Sequence, residues 1–497
     1  MRARHTGASL ASPAGSSAGP AAHARIAPGL IAGILALLAG AATPPPSAAQ
    51  EPEGQIPGVE LTLLYENLYI PPLAILPFRT TGDSPETGAL VHGIVARDLD
   101  YSDRFRIIDS LPALWNDQQG VQYAFWDQYG VDWLVIGTVE RVAGSRFLAV
   151  ELHDIVTASA RARGRFPLPA PDDPGFRMAV HRVSDEIVMW ATGEQGIAAT
   201  QIAFRMPALG DPASKEIYIV DSDGANRRRL TWDADLAVSP AWSPDGSRLA
   251  YTSYKSGVPK IYEIELATGT ERMIGPGGSG QQHSPAYHPH GGEISFTLTD
   301  RGSKGVVSYN IRDGCCLRML AGGRAPNIQP AYSRDGRTLA FVSLRLGSAT
   351  PQVYTMPSEG GTQTLLSPYR YGQGGYFTDP DWSPVSNQVA FAGGIVNRRT
   401  VGRYHIFIAD LDTSDNRLIQ LTREGNNEDP SWAPDGRHLV FKGERRNGLG
   451  IFIVDAATGR QRVLVANVDA EDTDWSPWLG NSGGAGQSPG NLPRGGR

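Results

Sequence analysis

Short stretches of alternating apolar and polar residues, separated by Gly, Pro, Asn and Asp, fill the chain from about residue 200 to residue 478. Alternation over four to eight residues predicts β-strands rather than helices. One phrase returns along this region. It reads SPAWSPDGSRLAY at residues 239–251, and related forms begin at residues 284, 329, 379 and 429. Its SPDG portion favours a type I turn between two strands, because proline and glycine suit the second and fourth turn positions.

The aromatic residue of this phrase recurs at intervals of 43 to 50 residues, at Trp242, Tyr287, Tyr332, Trp382, Trp432 and Trp475. Self-similarity at this period marks a repeat architecture, and four-stranded units around an axis make a β-propeller. An unmatched second strand at 201–204 precedes the series, and an unmatched first strand at 474–478 ends it. Pairing the two closes the ring and hides a sheet edge. We predict an all-β six-bladed β-propeller with WD40-like (PD40) repeats over residues 197–479.

Residues before the propeller do not carry the repeat. Segments 71–78, 105–109, 131–139 and 146–156 read as strands. Two sets of apolar residues have helical spacing: Val91, Ile94, Val95 and Leu99, and then Phe176, Val180, Val183, Ile187 and Trp190. The pattern predicts an N-terminal α/β domain over residues 71–196. The Gly/Pro/Ser-rich residues 480–497 predict a disordered tail.

The N-terminus has the pattern of an export signal. Arg2, Arg4 and Arg25 precede an apolar run at 26–42, no acidic residue occurs before residue 50, and small residues follow at 47–49. This order is typical of a signal peptide over residues 1–49, which predicts a periplasmic location and a mature N-terminal segment at 50–70. The alternative is a membrane anchor, for which the run is short and interrupted by glycine and proline.

Charge and cysteine content exclude several classes of protein. Loss of residues 1–49 removes three arginines and no acid, which takes the formal charge from −6 to −9. A nucleic-acid-binding protein needs a basic patch instead. No second long apolar run follows, so we expect no membrane span after signal removal. The adjacent Cys315 and Cys316 exclude a disulfide framework. We expect two unpaired thiols, with a vicinal disulfide as the alternative.

No catalytic motif is present in a suitable domain. The chain lacks a phosphate-binding P-loop and His-Glu-x-x-His, and Gly-x-Ser-x-Gly occurs only at 15–19, 480–484 and 486–490, in the predicted export signal and tail and not in an α/β-hydrolase domain that could hold a nucleophile elbow. We therefore predict a non-enzymatic protein without a cofactor. His283, His288 and His290 lie close together, but the last two flank a blade turn, which favours a solvated loop over a metal site. The DSDG at 221–224 resembles the start of a calcium loop, yet its twelfth position is Trp232 instead of glutamate. Other repeats have a hairpin turn there, and we expect no metal site.

Polar residues precede the first strand of several blades, and first strands run beside the central channel of a propeller. One channel mouth is therefore expected to carry a partner-binding rim. The residues proposed for it are Gln281, Gln282, His283, Asn327, Gln329, Asp379, Glu428, Asp429 and Asp474. The alternatives are ordinary solvated loops or a hydrolytic carboxylate pair, for which no acid/base asymmetry is visible.

Several stretches together resemble the TolB family of the Tol–Pal system: PPLAILPF, DSDGANRRRLT, SPAWSPDGSRLAYTS and DWSPWL, in the same domain order. The resemblance implies a periplasmic, non-enzymatic protein that supports outer-membrane integrity and envelope constriction during cell division. It implies that the propeller binds the peptidoglycan-associated lipoprotein Pal at one mouth, through residues 281–283, 327–329 and the acids before Pro380, Pro430 and Trp475. It also implies that the mature N-terminal segment binds TolA. Two features differ from the family pattern: Gln329 stands where an acid is expected, and residues 50–64 do not closely match the TolA-binding segment.

Two other classes compete with a scaffold. One is a secreted propeller that assists a hydrolase or peptidase, and the other is a carbohydrate-binding propeller. The absence of a predicted α/β-hydrolase domain that could hold a nucleophile elbow argues against the first. Against the second, the mouth loops show no pronounced aromatic cluster on which a sugar would stack.

Overall fold

The computed structural model describes residues 69–479, apart from residues 109, 112–119, 348–349, 369–373, 397–402 and 414–416. The predicted export signal, residues 50–68 of the predicted mature segment and the predicted C-terminal tail lie outside the described residues. The described part of the chain forms three α-helices and seven β-sheets. None of its helices is long and apolar enough to cross a membrane.

The first sheet belongs to the N-terminal α/β domain. Its strands are β1 Pro72–Ile75, β2 Arg79–Thr81, β3 Arg106–Ile107, β4 Trp133–Val142, β5 Ser145–Asp154 and β6 Ser159–Pro167. They lie in the order β3-β1-β4-β5-β6, and β2 pairs with β4. Strand β1 is parallel to β3 and β4, whereas β4, β5 and β6 form an antiparallel meander.

Three helices accompany this sheet: α1 Pro85–Tyr101, α2 Tyr123–Gln128 and α3 Phe176–Thr192. Helix α1 begins after Ser84, whose hydroxyl accepts a hydrogen bond from the Thr87 N–H at 3.3 Å and so caps the first turn. Helices α1 and α3 share one buried core with the sheet, in which Val91 of α1 and Val180 of α3 are fully buried. The two predicted helices are confirmed, because their apolar positions face this core.

The remaining six sheets have four strands each and are the blades of a propeller. The first strands are β10 Ala237–Trp242, β14 Gln281–Tyr287, β18 Asn327–Tyr332, β22 Gly374–Trp382, β26 Asn427–Trp432 and β30 Glu471–Trp475. The second strands are β7 Gln201–Ala208, β11 Arg248–Ser253, β15 Glu293–Asp300, β19 Thr338–Ser343, β23 Gln388–Val396 and β27 His438–Arg445. The third strands are β8 Asp211–Asp221, β12 Lys260–Glu265, β16 Ser303–Asn310, β20 Gln352–Pro357, β24 His405–Asp410 and β28 Gly448–Asp455. The fourth strands are β9 Arg228–Arg229, β13 Glu271–Met273, β17 Cys315–Ala321, β21 Thr364–Leu365, β25 Arg417–Gln420 and β29 Gln461–Ala466.

The ring closes between the two ends of the repeat region. The last strand, β30, pairs antiparallel with β7, and Trp475 lies opposite Ile202. The closing blade therefore takes its first strand from the C-terminal end and its other three from residues 201–229. The predicted fold class, an α/β domain followed by a six-bladed propeller, is confirmed.

Apolar packing between neighbouring blades holds the ring together. Each of six buried clusters draws its members from two adjacent sheets. For example, Phe377, Phe391 and Phe407 of the fourth blade, with ring centroids 5.9 to 6.0 Å apart, share a buried cluster with Ala340, Val342 and Val353 of the third blade. The same aromatic and β-branched positions recur along the repeats, and this is why the hydrophobic pattern repeats in the sequence.

The N-terminal domain contacts the propeller at the end where the SPDG-type turns lie. His438, just after the fifth turn, places its Nε2 3.2 Å from Asp103 Oδ2 at the end of α1. Arg460, in the β28–β29 hairpin, donates to Asp103 Oδ1 at 2.8 Å and to Asp100 Oδ2 at 2.9 Å. The first strands begin at the opposite end of the channel.

The expectation of two unpaired thiols is wrong: Cys315 and Cys316 form a vicinal disulfide. They lie at the start of β17, after the turn that closes the third hairpin of the second blade. Cys316 has a left-handed backbone with φ 66°, and this local turn brings two neighbouring side chains together that an extended strand would direct to opposite faces.

Candidate functional site

Each first strand is bulged at the same place. The pairing of first with second strands shifts register between Val238 and Ala241, and equivalently in the other five blades. The bulged residue has φ between 51° and 54° in all six blades. These residues are Ser239, Ser284, Gln329, Asp379, Asp429 and Asp472. A left-handed backbone is costly for a residue other than glycine, so its recurrence shows that the ring geometry imposes it.

All six bulged residues line the central channel, which holds a cavity of about 430 Å³. A bulge re-aims a side chain out of the regular alternation, and here it directs one side chain per blade toward the axis. Proline follows in five blades and Thr473 in the last. The scaffold residues repeat, whereas the residue at the bulge varies from serine to glutamine to aspartate.

Hydrogen bonds link several of these side chains from blade to blade. Asp472 Oδ2 accepts from the Ser239 N–H at 3.0 Å, and Asp429 Oδ2 accepts from the Asp472 N–H at 2.9 Å. The Gln329 side-chain amide donates to the Asp379 carboxylate. Three carboxylates therefore face one stretch of channel, and each of them also joins two blades.

Burial and mutual repulsion perturb these acids. Burial raises the pKa of Asp379 to about 6, against the hydrogen bonds from Thr378 and Gln329. The pKa of Asp429 is raised well above the usual range by burial and then by the charges of Asp379 and Asp472. Groups perturbed in this way in a cavity are typical of functional sites.

Two further carboxylates serve the scaffold. Asp381 Oδ2 accepts from the Trp432 N–H and Asp474 Oδ2 accepts from the Trp242 N–H, each at 2.7 Å. In both cases the acceptor lies in one blade and the donor in the next. Asp474, proposed from sequence as a rim residue, lines the channel but is engaged inside the ring.

Two other proposed rim residues are turned inward. Gln282 is buried, with its amide donating to Pro276 O at 2.7 Å and accepting from the Ile261 N–H at 3.3 Å. Asn327 is also buried, and it donates to Ala325 O at 3.1 Å. The equivalent position in other blades holds the buried Ala237 and Ala470. Because alanine occupies this position, two residues before the bulge, in two blades, the sequence already indicated that the position faces the interior.

Gln281, His283 and Glu428 lie at the mouth where the first strands begin. Gln281 is exposed, and His283 is half-buried with its ring 6.0 Å from that of Tyr254. Burial, together with the charge of Lys304, lowers the pKa of His283. Glu428 lies 3.0 Å from the Lys442 Nζ, so its charge is paired.

Sequence reasoning missed the cations of this rim. Lys442 Nζ lies 2.7 Å from Glu471 as well, and Arg205 pairs with Glu471 and, at 2.7 Å, with Asp472. Both cations come from second strands, at positions opposite the start of a first strand. Their polar identity within the apolar phrases LVFKG and IAFRM was the available signal.

Sequence reasoning also missed the aromatic side chains of this mouth. Tyr376 and Tyr404 are half-buried, with ring centroids 5.2 Å apart. Burial and the charge of Asp379 raise the pKa of Tyr376, which shows that the pair borders the carboxylates. The expectation that the mouth loops carry no pronounced aromatic cluster overlooks this pair, because Tyr376 lies in β22, Tyr404 lies just before β24, and the two meet only in the folded blade.

Comparison with known proteins agrees with the architecture. The family model of the TolB beta propeller domain matches residues 189–479, more than half of the chain, and that of the TolB amino-terminal domain matches residues 65–160. The chain belongs to the TolB family. The predicted family resemblance is thus confirmed.

Individual TolB proteins are similar over part of their length. The Tol-Pal system protein TolB of Polaromonas naphthalenivorans is 33% identical over 242 residues, which cover 48% of this chain and 53% of that protein. The corresponding protein of Nitrosococcus oceani is 31% identical over 208 residues, 41% of this chain and 47% of that protein. The matched stretch spans about half the length of these curated relatives. The crystal structure of TolB from Acinetobacter baumannii shares the fold, with a TM-score of 0.69 at 23% identity over 82% of this chain and 97% of that one.

Proposed function

We propose that this TolB-family chain is a non-enzymatic periplasmic scaffold of a Tol–Pal system, and that it binds a Pal-like lipoprotein at the propeller mouth where the first strands begin. In this role it supports outer-membrane integrity and envelope constriction during division. The names of its relatives, each a Tol-Pal system protein, support the system. We further propose that the mature N-terminal segment, residues 50–70, contacts a TolA-like protein.

One observation carries the mouth assignment. Six bulges direct two serines, one glutamine and three aspartates into one channel, although the surrounding backbone repeats. Some of these side chains also hydrogen-bond between blades, but the apolar packing between blades is made by other residues and does not require different residue types at this position. Variable polar side chains on a rigid repeating frame are what recognition of one specific partner requires.

The composition of the mouth suits a protein partner. Tyr376 and Tyr404 offer amphipathic aromatic surface, the residue type enriched at interface hot spots. Around them, Lys442 and Arg205 bridge Glu428, Glu471 and Asp472. A rim in which acids and cations are paired in this way suits a polar, hydrated interface better than a rim of unpaired acids would.

The carboxylates are poorly suited to hydrolysis. Asp429 accepts a backbone N–H from Asp472, and Asp379 is held by Gln329 and Thr378. The bonds from Asp472 and Gln329 join blades, whereas the bond from Thr378 is local. Both acids have raised pKa values for the same reason, burial. A general acid and base pair needs environments that push two pKa values apart.

Glycan binding at the same mouth is a second candidate, and the tyrosine pair favours it, because aromatic rings stack on sugar faces. The two functions differ in the partner that is retained. If the second candidate were correct, purified peptidoglycan fragments would bind to this chain without any partner protein.

An affinity experiment tests the proposal. The mature chain, immobilised, is incubated with detergent extract of its own envelope, and retained proteins are identified by mass spectrometry. We expect a peptidoglycan-associated lipoprotein with wild type, and at least tenfold less with Tyr404→Ala or Glu428→Lys. The matched controls are Met319→Ala, an exposed apolar residue on a fourth strand, and Glu265→Lys, an exposed acid near the opposite end of its blade. Failure of wild type to retain such a lipoprotein contradicts the proposal.

A further inference from the structure

His181 of helix α3 is fully buried where the N-terminal domain meets the propeller. Its Nδ1 lies 2.7 Å from Asp98 Oδ2, which also accepts from the Ser184 hydroxyl at 2.7 Å. Because a carboxylate only accepts, it fixes the imidazole proton on Nδ1. The lone pair of Nε2 is thereby directed at the propeller.

The Nε2 atom has no hydrogen-bond partner among the described residues. It faces two carboxylate oxygens of the β8–β9 turn, Asp221 Oδ2 and Asp223 Oδ1, each 4.0 Å away. That distance is too long for an N–H···O hydrogen bond. A proton on Nε2 would therefore remain unsatisfied in a buried place, whereas a larger cation beside Nε2 would lie near both carboxylate oxygens.

We propose that His181 Nε2, Asp221 Oδ2 and Asp223 Oδ1 form a binding site for a divalent transition-metal ion such as Zn²⁺ or Mn²⁺, with Asp98 as the carboxylate that orients the ligating imidazole. Metal-ligating histidines commonly donate their other N–H to a carboxylate in this manner. An imidazole nitrogen in the donor set favours these ions over Ca²⁺ or Mg²⁺, which prefer oxygen alone.

The three donor atoms must move slightly to bind the ion. Ligand distances of about 2.0 to 2.2 Å place neighbouring donors roughly 3 to 3.6 Å apart, so each 4.0 Å separation closes by less than about one ångström. The carboxylates are already oriented. Asp221 accepts from Gln201 Nε2 at 2.8 Å and from Asn226 Nδ2 at 2.7 Å. Asp223 holds Arg177 with its other oxygen, Oδ2, and its Oδ1, which accepts from the Ala225 N–H at 3.0 Å, lies 4.0 Å from His181 Nε2.

Three carboxylates surround the imidazole, and Arg228 and Arg462 lie near two of them. Asp98, Asp221 and Asp223 face the imidazole, whereas Arg177 and, at 3.7 Å, the half-exposed Arg97 pair with Asp223. A metal ion beside Nε2 would need no hydrogen-bond acceptor there.

The second interface histidine provides a contrast. His438 is equally buried and also surrounded by acids, but its Nδ1 lies 2.7 Å from Asp435 and its Nε2 3.2 Å from Asp103. Both nitrogens have partners, so this cluster is complete as an ion-pair network. The turn at 221–224 forms as expected. The proposal differs from the expectation of no metal site there, because His181 would add a third ligand to the two aspartates of the turn. The proposed metal site is independent of the proposed partner binding at the far mouth.

Metal content of the mature chain tests the site. Tag-free protein is stripped with chelator, dialysed against Zn²⁺ or Mn²⁺ at micromolar concentration, and assayed by inductively coupled plasma mass spectrometry. We expect about one ion per chain in wild type and in His438→Gln, and at least tenfold less in His181→Gln and Asp223→Asn. Circular dichroism establishes that each variant is folded. Wild type without metal above background, or undiminished binding by folded His181→Gln, overturns the proposal.

X-ray absorption of the zinc-loaded wild type gives a test that needs no variant. We expect one imidazole and otherwise oxygen donors around the metal. Two imidazoles would indicate binding at the surface pair His288 and His290, whose rings lie 4.9 Å apart, and would overturn the assignment, as would a shell of oxygen alone.

Discussion

Asp381 in the fourth blade accepts a hydrogen bond from the backbone N–H of Trp432 in the fifth, at 2.7 Å. Asp474 and Trp242 repeat this relationship across the ring closure. These bonds tie the repeated aromatic residue, the most conspicuous sign of the repeat in the sequence, to the neighbouring blade.

Replacing Asp381 tests this bond. Asp381→Ala leaves the buried Trp432 N–H without an acceptor, and such a group costs about 1 to 3 kcal/mol. Asp381→Asn keeps an acceptor oxygen but removes the buried negative charge. Burial raises the pKa of the Asp381 carboxyl group to about 6, so this charge is costly at pH 7. We expect urea unfolding at pH 7 to show a lower midpoint for the alanine variant and little loss, or a gain, for the asparagine variant. Equal losses in the two variants would show that the hydrogen bond is unimportant.

Asp379→Asn is expected to stabilise the protein at alkaline pH. Burial raises the pKa of Asp379 to about 6, so the folded state binds its proton more tightly than the unfolded state, whose aspartate titrates near 3.9. The resulting destabilisation is absent below about pH 4 and complete above pH 6. The melting temperature of the variant relative to wild type should therefore be higher at pH 8 than at pH 4. A difference that does not depend on pH contradicts this reasoning.

His438 makes the opposite contribution. Although burial opposes its charge, Asp435 and Asp103 raise its pKa to about 9, above the unfolded value near 6.5. Its stabilisation is fully present below pH 6.5 and is lost as pH rises through 9. The unfolding free energy of wild type should exceed that of His438→Gln at pH 6 by a few kcal/mol, and the difference should shrink by pH 9.5. The acids of the channel titrate in both proteins, so their contributions cancel in the difference between the two unfolding free energies, which then reports on His438.

Alkylation tests the vicinal disulfide. Protein denatured without reductant should take up no iodoacetamide label, and reduction should expose the two cysteines of the chain, Cys315 and Cys316. A bond between adjacent residues closes almost no loop and therefore restricts the unfolded chain little. We expect the double Cys→Ser variant to melt within a few degrees of wild type. Labelling before reduction would show that the thiols are free.

The sequence predicts the frame of the fold well and its channel only in part. The spacing of Trp242 and its equivalents determines the blades, and the two incomplete units at 201–204 and 474–478 predict the closure observed between β30 and β7. Local alternation carries this information, because each strand pairs with a neighbour in the chain.

Features that depend on contacts between distant residues were not predictable in this way. The Tyr376–Tyr404 pair and the Lys442–Glu471 bridge join positions that the sequence does not mark as neighbours. The bridges from Arg205 to Glu471 and Asp472 lie across the predicted closure, but the strand pattern does not reveal the side-chain contacts themselves. Gln282 and Asn327 were placed at the rim because they are polar, yet they turn inward to loop carbonyls. Polarity alone does not reveal whether a side chain faces water or a buried backbone group.

The central claim concerns the mouth, and calorimetric titration with a purified, lipid-free Pal-like protein from the same organism tests it most directly. We predict a one-to-one complex with wild type, at least tenfold weaker binding by Tyr404→Ala and Glu428→Lys, and unchanged binding by Met319→Ala and Glu265→Lys. No heat of binding with wild type, or equal weakening by the mouth and control variants, would contradict the account.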